Sequence, residues 1–243
     1  MSKIREAWSF ADRAYCDCDY NSDGNGNGLV GAGWRLVGRY EHKNDAMTVS
    51  KRPSTFGGSG AVGMVDLVFS FPGSNDVWDW LQYLTENPLG RIHCFQESAE
   101  LFRKDILAVL AEYRGKIASI GMCGHSKGGA MAVEAMRDMF MLGACGFDKI
   151  RLKSVITFAC PPMLYKDDRN FINQLGCDIT NVIVKGDIVA ENKVLKAIGL
   201  KRAGRDIVIG GNVGWGLVLR LLRRMSRHTR KGYWKRIKKR WPK

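Results

Sequence analysis

Four apolar runs stand out from a polar background, at residues 64–71, 117–123, 154–160 and 181–185. Each is short, rich in Val, Ile and Phe, and bounded by Gly, Pro or Asp, which is the pattern of a buried strand. Other stretches repeat their apolar positions at helical spacing. Ile4, Trp8, Ala11 and Tyr15 fall on one face of a helix expected over 3–16. Leu101, Ile106, Val109 and Leu110 mark a second over 97–113, and 130–140 reads as a third. Residues 34–40 and 47–51 read as strands that could pair as a hairpin, and 206–209 as a short last strand. Strands alternating with helices predict an α/β fold with a mostly parallel central sheet and helices on both faces.

The run 117–123 leads directly into Gly124-His125-Ser126-Lys127-Gly128-Gly129. G-x-S-x-G between a strand and a helix is the nucleophile elbow of an α/β-hydrolase fold. Glycines flank the serine because strand and helix must approach too closely for a β-carbon. A serine hydroxyl needs a histidine to take its proton and a carboxylate to orient that histidine. In this fold the chain order is Ser, acid, His. Only His228 of the four histidines lies downstream of the elbow. Asp187 follows the strand at 181–185 directly and is the expected acid; Asp167, Asp168, Asp178 and Asp206 occupy helix-edge or loop positions. The oxyanion donors expected are the N–H of Lys127 and, after Phe71-Pro72-Gly73, Ser74. Each assignment competes with a plainer one: an incidental histidine in a basic run, a turn aspartate after Gly186, a tight Pro-Gly turn.

At this point several motifs together resemble the class 3 lipase family. The resemblance spans about residues 30–230. LVFSFPGS followed by DWLQYL is similar to the family's strand, R-G-T/S turn and D-W-L segment. Ile92-His93-Cys94-Phe95 resembles its H-x-G-F element, and GHSKGGAMA its G-H-S-L-G-G-A-L-A. VITFACPP resembles V-x-T-F-G-x-P, and NVIVKGDIVA the strand ending in D-I-V-P. The resemblance implies Ser126, Asp187 and His228 as the triad, and Ser74 with Lys127 as oxyanion donors. It implies a cofactor-free serine hydrolase of lipid acyl esters. The departures are Pro72 for Arg, Cys94 for a small residue, Ala190 for Pro, and Lys127 for Leu or Gln, which sets a cation beside the elbow. HTRKGYW around His228 matches loosely, and the segment 85–92, where the family carries its lid, is short.

Charge changes the picture at one end of the chain. Net charge is +14, and twelve of the 38 Lys and Arg fall in 220–243, which holds no Asp or Glu. The rest is nearly balanced, with 26 basic against 24 acidic residues. The sequence therefore divides into a hydrolase-like domain, 1–230, and a basic C-terminal tail, 231–243. Residues 216–226 read as an amphipathic helix, with arginines including Arg223, Arg224 and Arg227 on its polar face. Trp234, Ile237 and Trp241 recur at helical spacing among Lys and Arg. This end suits an anionic membrane surface, a nucleic acid or a disordered tail. Phospholipase A1-type cleavage on such a membrane, or a non-catalytic hydrolase-fold protein binding membrane or nucleic acid, are the alternatives to a lipase or esterase that cleaves lipid acyl esters. Seven irregularly spaced cysteines suit buried thiols in a reducing compartment better than a disulfide framework. Residues 19–24 open like a calcium loop, but Val30 stands where its bidentate Glu belongs, which favours an Asx/Gly turn. No signal peptide or membrane-spanning run is visible, so the expected location is cytoplasmic, with peripheral membrane contact open.

Overall fold

The computed structural model describes residues 3–15, 32–54, 63–73, 90–143, 152–210 and 230–241. The elements in chain order are α1 (Lys3–Arg13), β1 (Arg35–His42), β2 (Asp45–Pro53), β3 (Val65–Phe71), α2 (Gly90–Leu101), α3 (Arg103–Glu112) and β4 (Ile117–His125). They continue with α4 (Lys127–Met141), β5 (Leu152–Phe158), α5 (Lys166–Gln174), β6 (Asp178–Val184), α6 (Lys193–Ala197), β7 (Arg205–Ile209) and α7 (Arg230–Arg240). The strands stand side by side in sequence order, with β1–β2 and β2–β3 antiparallel and every later pair parallel. The expected hairpin is β1–β2, turned at Lys43 in a left-handed conformation (φ 57°).

Sequence-ordered parallel strands with crossovers of one hand must place their connections on the same face. The core divides accordingly. Phe102, Ile106 and Leu110 from α2–α3, Met131 and Met136 from α4, Ile172 from α5 and Leu195 from α6 belong to one buried cluster. The opposite face is closed by α1 and α7, through Trp8, Phe10, Ala11, Tyr233 and Ile237. The expected sheet with helices on both faces is the observed one, but the second face depends on helices from opposite ends of the described chain. Trp8 joins them, stacked on Tyr233 (centroids 5.8 Å, 15°) and edge-on to Phe158 (4.9 Å, 81°). Glu6 of α1 accepts from Trp34 Nε1 (2.7 Å) and Arg52 Nη1 (3.1 Å), tying that helix to β2.

Two expectations need correction. The helix expected over 97–113 is two helices, starting at 90 and broken at Phe102 (φ −90°, ψ 0°). That ring is fully buried and turns inward against Phe71 and His42. The break follows from seating an aromatic side chain between sheet and hairpin. The basic tail expected from 231 begins inside α7, whose Tyr233 and Ile237 are buried in the core. The expected 216–226 helix and the calcium-like turn at 19–30 lie outside the described residues. Cys123 and Cys160 are buried and free, and burial pushes both thiols up to about 12.

Glu134 of α4 is buried, with Arg137 Nη1 at 3.3 Å. Burial, partly offset by Arg137, pushes its carboxyl up to about 7, from 4.5. The folded chain thus holds a proton that the unfolded chain has lost between these values, so stability falls as pH rises from about 4.5 to 7 and then levels. Glu134→Gln should match the wild type near pH 4.5 and exceed it by about 3 kcal/mol at pH 8. Urea denaturation at the two pH values measures this, and equal differences at both would contradict it.

Candidate active site

The register of the sheet brings its carboxyl ends level. Phe71 of β3 pairs with Gly124 of β4, His125 with Phe158 of β5, Phe158 with Val182 of β6, and Val184 with Ile209 of β7. Ligand-binding residues of open α/β sheets sit at this edge. Gly73, Ser126 and Asp187 all follow their strands directly onto it, so three elements far apart in sequence meet at one rim.

Ser126 occupies a strained turn (φ 57°, ψ −123°), with its N–H bonded to Phe158 O at 2.8 Å. α4 then packs so tightly that a β-carbon on Gly124 would lie 2.2 Å from Gly128 O, and one on Gly128 2.2 Å from Phe71 O. Both positions must be glycine for strand and helix to meet. Gly73 passes over the serine: a β-carbon there would lie 2.9 Å from Ser126 Cβ and 2.6 Å from His125 O. Beside Ser126, Ala159 also has positive φ (55°). Two non-glycine residues in this region on adjacent strand ends concentrate backbone strain at the rim.

Asp187 is fully buried and held at both oxygens. Oδ1 accepts from Val189 N (2.8 Å) and Ala190 N (3.1 Å), and Oδ2 from Tyr233 Oη (2.8 Å). The same tyrosine oxygen accepts the Val184 N–H at 3.0 Å. Burial, reinforced by the Asp187 charge, holds the Tyr233 hydroxyl well above its ordinary value, so it remains a donor. On the serine side, Tyr15 Oη accepts from Gly73 N (2.7 Å) and lies 2.8 Å from His125 Nδ1. Trp8 and Tyr233 meet the His125 ring edge to face.

Sequence reasoning placed Ser126, Lys127 and Asp187 on this rim, where the structure has them. Its picture of a cation beside the elbow is corrected. Lys127 Nζ contacts both oxygens of Asp45, at 2.6 and 2.9 Å, in a partly buried ion pair that neutralises the charge. What Lys127 offers the rim is its backbone N–H, which as the first of α4 has no acceptor within the helix. Ser74, His228, Arg223, Arg224 and Arg227 lie outside the described residues. Trp234 and Trp241 are half-buried against the core, with Arg5 and Lys238 on the Trp234 ring at 5.5 and 4.5 Å. They are not free anchors. Tyr15 and Tyr233 were missed as site residues. The available signal was Tyr233 and Ile237, four apart in an otherwise charged run, which is the spacing of a helix with one buried stripe. No group of three or more His, Cys, Asp or Glu that could hold a metal occurs among the described residues.

The sheet, the strained serine elbow and the acid at the end of β6 define an α/β-hydrolase. The family model "Lipase (class 3)" matches residues 66–195, more than half of the chain. The chain belongs to the class 3 lipase family, and so to the lipase-type carboxylic-ester hydrolases. Among similar solved structures is a triacylglycerol lipase whose catalytic centre is described as a serine-protease triad (TM-score 0.68, 18% identity, 86% of this chain and 80% of that one). The Rhizomucor miehei lipase–propeptide complex aligns with TM-score 0.65 and 17% identity, over 85% of this chain and 67% of that one. The Rhizopus microsporus var. chinensis lipase aligns with TM-score 0.62 and 17% identity, over 85% and 74%. At these identities the likeness speaks for the fold. A comparison with curated protein sequences returns no significant match.

Tyr233→Phe keeps the ring stacked on Trp8 but leaves the Val184 N–H without its acceptor and removes the Tyr233 hydrogen bond to Asp187 Oδ2. Both groups are buried, so urea denaturation should show a loss of about 2–3 kcal/mol. A change below about 0.5 kcal/mol would mean the hydroxyl holds neither group.

Proposed function

We propose that this chain hydrolyses fatty-acyl esters of lipids through an acyl-enzyme on Ser126. The observation that carries the reading is the turn at residue 126: a strained serine, crossed by Gly73 and level with an immobilised Asp187. His228, assigned by chain order, takes the proton of Ser126 Oγ as that oxygen attacks the ester carbonyl. The carbonyl electron pair moves onto oxygen, which the N–H of Lys127 and the segment at Ser74 receive. Collapse of the intermediate breaks the bond to the alcohol, which leaves with the proton from His228. Water then gives a proton to His228 and attacks the acyl carbon. Ser126 leaves with that proton and the fatty acid is released. Asp187 orients His228 and balances the imidazolium charge of each step. A triad of this kind in a structurally similar triacylglycerol lipase supports the assignment. The quenched Lys127–Asp45 pair supports the amide, not the ammonium, as the donor.

Within lipid esters we favour phospholipids with anionic head groups, on the twelve basic residues of 220–243. The first experiment is turnover of a p-nitrophenyl ester series with labelling by a fluorophosphonate. Ser126→Ala should abolish labelling and lower kcat/KM at least about 10⁴-fold. Wild-type turnover in that variant would overturn the assignment. Tyr15→Phe leaves the Gly73 N–H without its acceptor just ahead of residue 74. It should lower kcat about 10–100-fold with KM nearly unchanged, the signature of a group acting on the transition state. A change confined to KM would place Tyr15 in substrate binding instead.

A further inference from the structure

The rim that carries Ser126 and Asp187 is bordered by an unusual surface. The turn that fixes Asp187 runs directly into α6, capped by Asn192, whose side chain accepts from Val194 N and Leu195 N. Leu195 points inward and is buried. Val194 and Ile198, four apart, point outward and are 56% and 39% exposed, between exposed Lys193 and Lys196. The one acidic side chain of that stretch besides Asp187, Glu191, is engaged by Gly186 N at 2.7 Å. On the other face of the sheet, α7 starts at the same rim, where Tyr233 reaches Val184 N and Asp187. Its outer side presents exposed Lys235, Lys238, Lys239 and Arg240.

From this arrangement we propose that α6 and α7 together form a docking surface for an anionic phospholipid bilayer. The proposal rests on the ester-hydrolase reading for the purpose it gives the surface, which is to hold the rim against lipid substrate. Val194 and Ile198 supply apolar contact at the boundary of head groups and acyl chains, and the lysines supply charge complementarity. Single-stranded nucleic acid is disfavoured because binding to it without sequence preference leans on aromatic platforms, and a duplex offers no partner for the exposed Val194 and Ile198. Trp234 of α7 and Trp241 just after it are packed against the core, and Trp234 also carries Arg5 and Lys238 on its ring. The same packing makes the docking electrostatic at α7, with no tryptophan insertion.

The test is vesicle flotation of the full chain with phosphatidylcholine alone and with phosphatidylcholine containing roughly 30 mol% phosphatidylglycerol, which gives the vesicle a negative surface potential. Turnover of soluble p-nitrophenyl butyrate is measured alongside. Binding should be at least about 10-fold tighter to the anionic vesicles and should fall away in about 0.5 M salt. Lys235→Glu/Lys238→Glu/Lys239→Glu should remove the anionic preference. Val194→Ser/Ile198→Ser should weaken binding about 10-fold. Both variants should keep wild-type turnover of the soluble ester, which also reports that they fold. Equal binding to both vesicle types, or unchanged binding in both variants, would overturn the proposal. So would a preference for a duplex oligonucleotide over anionic vesicles. Anionic binding without turnover of any ester would leave the docking surface standing and remove the catalytic reading.

Discussion

The close approach of α4 to the ends of β3 and β4 is the constraint on which the site depends. Two glycines bring backbone oxygens to where β-carbons would otherwise stand, and the serine between them takes a conformation that L-residues avoid. The strain is sustained because the surroundings leave no alternative. Ser126 N–H is committed to Phe158 O, and the register of three parallel pairs fixes where Phe158 can be. Sheet packing therefore supplies the energy that holds the rim in its shape, as interiors packed like crystals transmit rather than absorb displacement.

The second layer turns that rim into a closed system. Trp8, His125, Phe158 and Tyr233 form one aromatic group in which α1 and α7 are pressed onto the sheet. Each helix also sends a tyrosine hydroxyl to the rim: Tyr15, just beyond α1, to Gly73 and His125, and Tyr233 to Val184 and Asp187. Burial of apolar surface and orientation of polar groups are here the same event, since the rings that fill the layer carry the hydroxyls that fix the loops.

The sheet and the elbow were legible in the sequence because their cause is local. Apolar runs such as 154–160 are buried on both faces, and Gly124 answers a clash with Gly128 on the far side of the same turn. Asp187 was legible because it follows its strand directly. The fate of Lys127 was not, because its partner Asp45 lies 82 residues away and only the folded hairpin delivers it. The break at Phe102 comes from a pocket made by Phe71 and His42, elements that helical periodicity does not see. α7 read as a tail because its charges outnumber the two residues, Tyr233 and Ile237, that decide its burial. Charge density along a chain says little about which side of a helix faces in.

The aromatic group around Trp8 also sets a timetable. During synthesis Trp8 leaves the ribosome long before its partners: Phe158 lies roughly 150 residues later and Tyr233 roughly 225. At about 5–20 residues per second the helix carrying Trp8, Phe10 and Ala11 waits for roughly ten to forty-five seconds with its apolar stripe uncovered. A layer closed by such distant segments is the last to form and the most exposed to capture by chaperones or by other nascent chains. The strand and helix that flank Ser126, neighbours in sequence, carry no such delay.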